Sequence, residues 1–194
     1  RGTIETLISE LSAAPKSADA LAVAPAAPCG DPIDVAAEAL RDASSVIVIP
    51  GYGMALAQAQ FAVVQLSRKL EEAGKTVRFA IHPVAGRMPG HMNVLLAEAD
   101  LSYEKLVEMD AINEAFKDTD VALIVGACDV VNPAAIHAEN TPISGMPILL
   151  AHEAKHVIVC NLDARPGYSG VENPLYADPK TLTLFQDARG TIEA

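Results

Sequence analysis

Four short segments concentrate the residue types that bind or move charge. The first, Gly51-Tyr52-Gly53-Met54-Ala55-Leu56, follows a β-branched run and keeps two glycines of a dinucleotide-binding turn, with leucine where a third would stand. In such a turn Gly51 permits the tight bend, Gly53 lets backbone approach a pyrophosphate, and the following helix offers free N–H groups and a positive dipole end. A plain strand-to-helix turn would carry the same residues. The second segment, His82-Pro83-Val84-Ala85-Gly86-Arg87-Met88-Pro89-Gly90-His91, sets an arginine and two histidines among glycines and prolines. Arg87 can pair with a phosphate, and His91 brings the side-chain type whose ordinary charge change falls near neutral pH. The alternatives are a solvated loop cation and a surface imidazole. In the third, Gly126-Ala127-Cys128-Asp129-Val130-Val131-Asn132-Pro133, an acid stands at a strand's carboxyl end. Asp129 can hold a ribose hydroxyl or a carboxamide there, exchange a proton with His91, or cap the helix at Pro133. Cys128 has no histidine fixed beside it in sequence and reads as a small buried hydrophobe rather than a nucleophile. The fourth, Asn161 to Tyr176, has no periodicity and is long for a connection within a compact domain, and its tyrosines and Gly167/Gly170 hinges favour a lid.

The elements that must position these loops follow from patterning. Asp31-Pro32 supplies an N-cap and a proline at the first helical position, and Val35, Ala36, Ala39 and Leu40 continue an amphipathic helix. Strands are expected at Ser45–Pro50, Val77–Ile81, Val121–Val125, Ile148–Ala151 and His156–Cys160. Helices are expected at Ala55–Ala73, Asn93–Ala99, Tyr103–Val107, Ala111–Phe116 and Pro133–His137. This alternation points to an α/β domain with a doubly wound, Rossmann-like parallel sheet and helices on both faces, and such sheets bind ligands beyond the carboxyl ends of their strands. The acidic residue that an NAD-type site wants after the second strand is absent, since Ile81-His82-Pro83 stands there.

Composition sets the outer bounds. The chain has 194 residues, the length of one domain; it is 51% hydrophobic but only 4% aromatic, which leaves Val, Ile, Leu and Ala to build the core. A net charge of -11, with no basic patch or aromatic platform, excludes nucleic acid as a partner. The longest apolar runs are strand-sized, well short of the roughly 20 residues of a bilayer crossing. No signal-peptide pattern opens the printed chain. Three cysteines without paired-ligand spacing indicate neither a disulfide framework nor a metal site, so the expectation is a reducing, cytoplasmic-type compartment. No Gly-x-Ser-x-Gly elbow or His/Cys cluster supports a protein nucleophile or a metal. The expected organisation is a helix and an Ala/Pro-rich linker over residues 1–30, then a nucleotide-binding domain over 31–194.

Longer stretches carry a family resemblance. Pro50-Gly51-Tyr52-Gly53-Met54-Ala55 with Ala57-Gln58-Ala59-Gln60, the run from Ile81 to Ala99, Glu108-Met109-Asp110, Val131-Asn132-Pro133-Ala134-Ala135, Gly145-Met146-Pro147 and Gly167-Tyr168-Ser169-Gly170-Val171-Glu172-Asn173-Pro174-Leu175 resemble the NADP(H)-binding domain, or domain III, of proton-translocating nicotinamide nucleotide transhydrogenase. The resemblance spans roughly residues 31 to 188. It implies a Rossmann-like domain that binds NADP(H) in an orientation inverted relative to ordinary dehydrogenases. Hydride would pass to or from NAD(H) on a partner domain, coupled to proton translocation through a membrane domain. The Re/Si-specific enzyme would thus sit at the cytoplasmic or matrix face of an energy-coupling membrane. Carried over by position, Gly51, Tyr52, Gly53, Met54 and Ala55 would line the nucleotide; Val84, Ala85, Gly86, Arg87, Met88 and Pro89 would wrap it. Gly126, Ala127, Cys128, Asp129 and Val130 would close on it, with Gly145 and Met146 beside it. Gly167, Tyr168, Ser169 and Gly170 would form the lid, Asp187 and Ala188 would close the far end, and His91 and Asp129 match positions tied to redox-linked gating. Two departures stand out. Many members carry Lys-Arg-Ser, whose cations hold the 2′-phosphate, where this chain has Asn161, Leu162 and Asp163; Arg165 is then expected to reach that phosphate. Cys128 replaces a common asparagine. A stand-alone nucleotide-binding or sensor module with relaxed NADP/NAD selectivity is the competing expectation.

The chain also repeats itself. Arg1-Gly2-Thr3-Ile4-Glu5 recurs as Arg189-Gly190-Thr191-Ile192-Glu193, and Ile4, Leu7, Ile8 and Leu11 fall on one helical face. By resemblance, residues 1–11 look like the continuation of a helix that begins after Asp187-Ala188, which a circular permutation or tandem copies of the domain would explain.

Overall fold

The computed structural model describes residues 31–194. The expected helix and linker over 1–30, and Cys29, lie outside the described residues.

Six parallel strands form one sheet: β1 (Ser45–Pro50), β2 (Thr76–Ile81), β3 (Leu106–Glu108), β4 (Val121–Val125), β5 (His156–Asn161) and β6 (Thr181–Phe185). Their order is β3-β2-β1-β4-β5-β6, so the winding reverses between β1 and β4. The expected doubly wound α/β fold is therefore present. Helices α1 (Pro32–Asp42), α2 (Tyr52–Leu56), α3 (Gln60–Glu72), α4 (His91–Glu98), α5 (Met109–Ile112), α6 (Ala134–His137) and α7 (Ala188–Glu193) complete it.

The β-branched runs bury both sheet faces. Val46, Val48, Phe79, Leu123 and Ile158 pack beneath α1, α3, α4 and α7; Ile47, Ile49, Ile124 and Val159 face Ile112, Phe116, Leu149 and Leu175 on the other side. Alternate residues of each strand go to opposite faces, and both faces are covered, which is why these strands read as unbroken apolar runs. At the amino edge of the sheet the Asp120 carboxylate accepts Ser44 N–H (2.9 Å) and Ser45 N–H (3.1 Å) and pairs with Lys155 Nζ (2.7 Å), fastening β1, β4 and β5 at their starts.

Five expectations need correction. The helix over Ala111–Phe116 is the end of α5 followed by a 3-10 helix at Asn113–Asp118. The helix over Ala55–Ala73 is two helices, broken where Gln58 takes a left-handed φ of 51°. Residues expected as a helix at Tyr103–Val107 form a 3-10 turn at Tyr103–Lys105 and then enter β3. Ile148–Ala151 is not a strand. Its largely buried backbone pairs with no strand: it donates from Leu149 N to Val130 O (2.8 Å) and from Leu150 N to Asn113 Oδ1 (3.0 Å) and turns into a 3-10 turn at Ala151–Glu153, so its apolar character reflects burial under the sheet. Finally β6, which pairs with β5, was not expected as a strand.

The β5-to-β6 crossover holds no α-helix; a 3-10 turn at Pro174–Ala177 is its regular part. Chain that would elsewhere form a covering helix is thereby left at the carboxyl edge of the sheet.

Candidate functional site

At the switch point between β1 and β4 the backbones of two turns interlock. Gly51 N–H donates to Val125 O (2.9 Å) and Gly53 N–H to Gly126 O (2.8 Å), while Gly126 N–H reaches across to Cys160 O (3.0 Å). A Cβ on Gly126, whose φ is +69°, would lie 2.1 Å from Met54 N; one on Gly51 would lie 2.3 Å from Gly126 O. The glycines are therefore required by backbone packing, and their N–H groups are spent inside the protein. Gly51 and Gly53 both line the cleft above.

Above this floor lies a cleft of about 990 Å³, a volume suited to a large ligand. Four loops converge on it: Gly51–Gly53, Val84–Arg87, Gly126–Val130 and Gly167–Ser169, with Pro142, Ile143 and Met146 forming a further wall. Most of the expected binding residues thus share one cavity. Pro142 and Ile143 were missed, since nothing in their local sequence marks them.

At the mouth, the Arg87 guanidinium stacks 4.1 Å from the centre of the Tyr52 ring, a cation–π contact that fixes a positive charge beside the cleft. Arg87 N–H donates to His91 Nδ1 (3.1 Å), and the Tyr52 and His91 rings are 6.2 Å apart. Gly86, with φ +97°, is needed here because a Cβ would strike the His91 ring at 2.5 Å. With Nδ1 accepting, the hydrogen of a neutral His91 ring sits on Nε2.

Asp129 lies inside the cleft and is held by the lid: Ser169 N–H donates to Oδ2 (3.0 Å) and Ser169 Oγ to Oδ1 (2.7 Å), with Gly167 packed against the carboxylate. It does not cap the helix after Pro133; Asn132 does so, accepting Ala134 N–H (3.0 Å). No hydrogen bond joins Asp129 to His91, which lines a neighbouring depression with His82, Pro89 and Tyr103.

Three residues whose side chains set the loops were not singled out as site residues. The fully buried Asn132 donates Nδ2 to Glu172 O (3.2 Å), and Asn173 donates Nδ2 to Cys128 O (3.2 Å), so two Asn-Pro steps fasten the base of the lid. His82 accepts Val84 N–H at Nδ1 (3.2 Å) and reaches Pro147 O from Nε2 (2.8 Å), connecting two walls of the cleft. Burial pushes His82 below its ordinary range.

The other expected residues lie outside the cleft lining. Met54 is fully buried in the core, Ala55 faces a depression beside α3, and Met88 is exposed. Gly145 donates to Ala135 O (2.8 Å), and Gly170, with φ +72°, turns the lid. Asn161 Nδ2 bridges Ala127 O (2.9 Å) and the Tyr176 hydroxyl (2.7 Å), and burial pushes that phenol far above its ordinary range. Leu162 is exposed, and Asp163 and Arg165 form an ion pair with each other. Asp187 caps α7 through Gly190 N–H (2.9 Å), and Ala188 is buried. Tyr168, by contrast, projects from the lid with 97% of its surface exposed. Cys160, buried in β5, has its thiol pushed up to about 12. Among the described residues no His, Cys, Asp and Glu group is arranged to hold a metal ion.

The family model described as the NAD(P) transhydrogenase beta subunit matches residues 8–194. The beta subunit from Rhodospirillum rubrum is 49% identical over 158 residues, which are 81% of this chain and 34% of that protein. The chain belongs to the NAD(P) transhydrogenase beta-subunit family. It spans about a third of the length of the curated transhydrogenase subunits it matches. Among solved structures, a thiamine diphosphate-dependent 4-hydroxybenzoylformate decarboxylase from Rhodococcus jostii superposes with a TM-score of 0.50 at 17% identity, covering 84% of this chain and 26% of that one; the likeness is one of fold. No described helix is long and apolar enough to cross a membrane.

Proposed function

We propose that this transhydrogenase domain binds NADP(H) in the cleft over the β1/β4 switch point and presents it for hydride exchange with NAD(H) on a partner domain. A membrane domain of the full protein would couple the exchange to proton translocation, and the Re/Si-specific enzyme would need that partner for activity. The observation that carries this reading is the convergence of the Gly51, Val84, Gly126 and Gly167 loops on one cleft in a chain of this family. The nicotinamide nucleotide supplies the hydride chemistry; the chain binds, orients and encloses it.

The lining suits such a ligand. Its floor is close-packed backbone without side chains to obstruct a flat ring, and Arg87 places a cation at the rim for a phosphate. Asp129 and Ser169 hold the lid by two hydrogen bonds that can break for entry and release. His91 Nδ1 accepts Arg87 N–H and so ties the start of α4 to the loop that carries the rim cation.

Selectivity for NADP(H) over NAD(H) is the finer question. Arg165, the nearby cation proposed for the 2′-phosphate, is paired with Asp163 and must leave it to reach a ligand. That pair favours, as a second reading, relaxed selectivity in a nucleotide-binding or sensor module. Titration of the domain with NADPH and NADH decides: tighter NADPH binding, weakened by Arg165→Ala, supports the first reading, and equal affinities support the second. No binding of either nucleotide refutes both.

A further inference from the structure

A second depression, of about 580 Å³, lies where the start of α3 meets α4 and α7, and it shares no lining residue with the cleft. Gln60, the first residue of α3, lines it and is only 6% exposed, yet its enclosed Oε1 has no hydrogen-bond partner among the described residues. Of the residues that carry such orphaned atoms, Gln60 alone is more than nine-tenths buried. A buried amide oxygen left unpaired is costly, so the position points to a group that completes it when bound.

The surroundings describe that group. Phe61, next to Gln60, exposes half of its surface, and Leu95 of α4 lines the same depression, so apolar contact is available to a flat ring. A carboxamide carries an acceptor and a donor in one plane, and the last torsion of a glutamine is soft, so a small turn presents both to the depression. Adenine matches that pair with its N6 amino group and N7, whereas guanine offers two acceptors there and leaves Oε1 unpaired. At the rim Arg189 pairs with Glu193 (2.9 Å), and both side chains are more than half exposed. Such a pair is weak, which leaves Arg189 available to a phosphate. The first-turn N–H groups of α3 receive no side-chain cap from Ala59 and add to the positive potential. Glu98 and Glu193 in the lining limit the negative charge the depression accepts to a single phosphate group.

We propose that this depression is a second nucleotide site, which takes adenosine monophosphate. The adenine edge pairs with the Gln60 amide, its face lies on Phe61, and the phosphate draws Arg189 away from Glu193.

Calorimetric titration of the whole chain with AMP tests this. AMP is expected to bind with GMP at least about tenfold weaker. Gln60→Leu, which keeps the bulk and removes the amide, and Phe61→Ala should each weaken AMP at least about tenfold, whereas Arg87→Ala, which alters the cleft, should leave this binding in place. Arg189→Ala should remove the preference for AMP over adenosine. Absence of AMP binding, equal affinity for GMP, or binding that is lost in Arg87→Ala and kept in Gln60→Leu overturns the proposal. Should Gln60→Leu fail to fold, the half-exposed Phe61 still permits its variant, and undiminished AMP binding there overturns the proposal equally.

Discussion

Replacing Gly126 with alanine would place a methyl carbon 2.1 Å from Met54 N and 2.4 Å from Gly53 C. Both neighbours are backbone, so no side chain can swing away, and the residue's φ of +69° is one that alanine disfavours. The left-handed backbone costs about 1–2 kcal/mol, and forcing the turns apart adds about 1–3 kcal/mol of the kind seen in overpacked cores. Gly145→Ala provides the comparison, because its φ is +73° but nothing lies within 4 Å of the added carbon. Both substitutions share the strain and the reduced freedom of the unfolded chain, so their difference isolates the clash. Urea unfolding at constant m-value should therefore show Gly126→Ala less stable than Gly145→Ala by about 1–3 kcal/mol. Nucleotide affinity should fall with Gly126→Ala, since the separated turns are the floor of the cleft. Equal stabilities for the two variants would refute the claim that backbone contact across the switch point demands glycine.

Ser169→Ala removes the 2.7 Å hydrogen bond to Asp129 and should speed amide exchange at residues 167–171, at a local cost of about 1 kcal/mol, while the urea midpoint barely moves. Burial pushes His82 and His152 below the ordinary imidazole range, so between that lowered value and about pH 6.5 the unfolded chain binds more protons. Stability should consequently fall as pH drops through this window, and His82→Gln should flatten the dependence measured by thermal melts at pH 5.5 and 7.5. Asp120→Ala, at the amino edge of the sheet, should cost about 1–3 kcal/mol through the unpaired Ser44 and Ser45 amides yet leave nucleotide affinity in calorimetry unchanged. Because Lys155 and the two amides hold the Asp120 carboxyl well below the usual carboxylate range, its contribution should disappear as pH falls below about 4.

The central strands were legible because Val46–Ile49, Val121–Val125 and Val157–Val159 are buried on both faces, which leaves an apolar run as their signature. The edge strands carry weaker marks. β3 is three residues long, and Thr181-Leu182-Thr183-Leu184 alternates as a one-sided edge strand does, a period-2 signal only four residues long. The break at Gln58 has no glycine or proline to announce it; the turn is closed by backbone bonds from Gln58 N to Ala55 O (3.2 Å) and from Ala59 N to Met54 O (3.0 Å). In the site, the loops could be found from their glycines and charges, but their internal bonding could not. Asp129 offered three roles by sequence, and the structure gives its carboxylate to Ser169, forty residues away. Asn132 and Asn173 were equally hidden, since a lid's anchors are defined by where the chain returns.

The absence of a helix between β5 and β6 separates two properties that most doubly wound domains keep together. A covering helix would bind the crossover to the sheet through a continuous apolar face, so that opening the cleft would mean partial unfolding. Here Leu175 and Tyr176 pack the end of the segment on the sheet, while its Gly167–Ser169 part, over the cleft, is held by a few polar contacts at Asp129, Asn132 and Asn173. Residence time of a bound molecule can therefore diverge among homologues through substitutions at these anchors, while the melting temperature of the sheet stays constant.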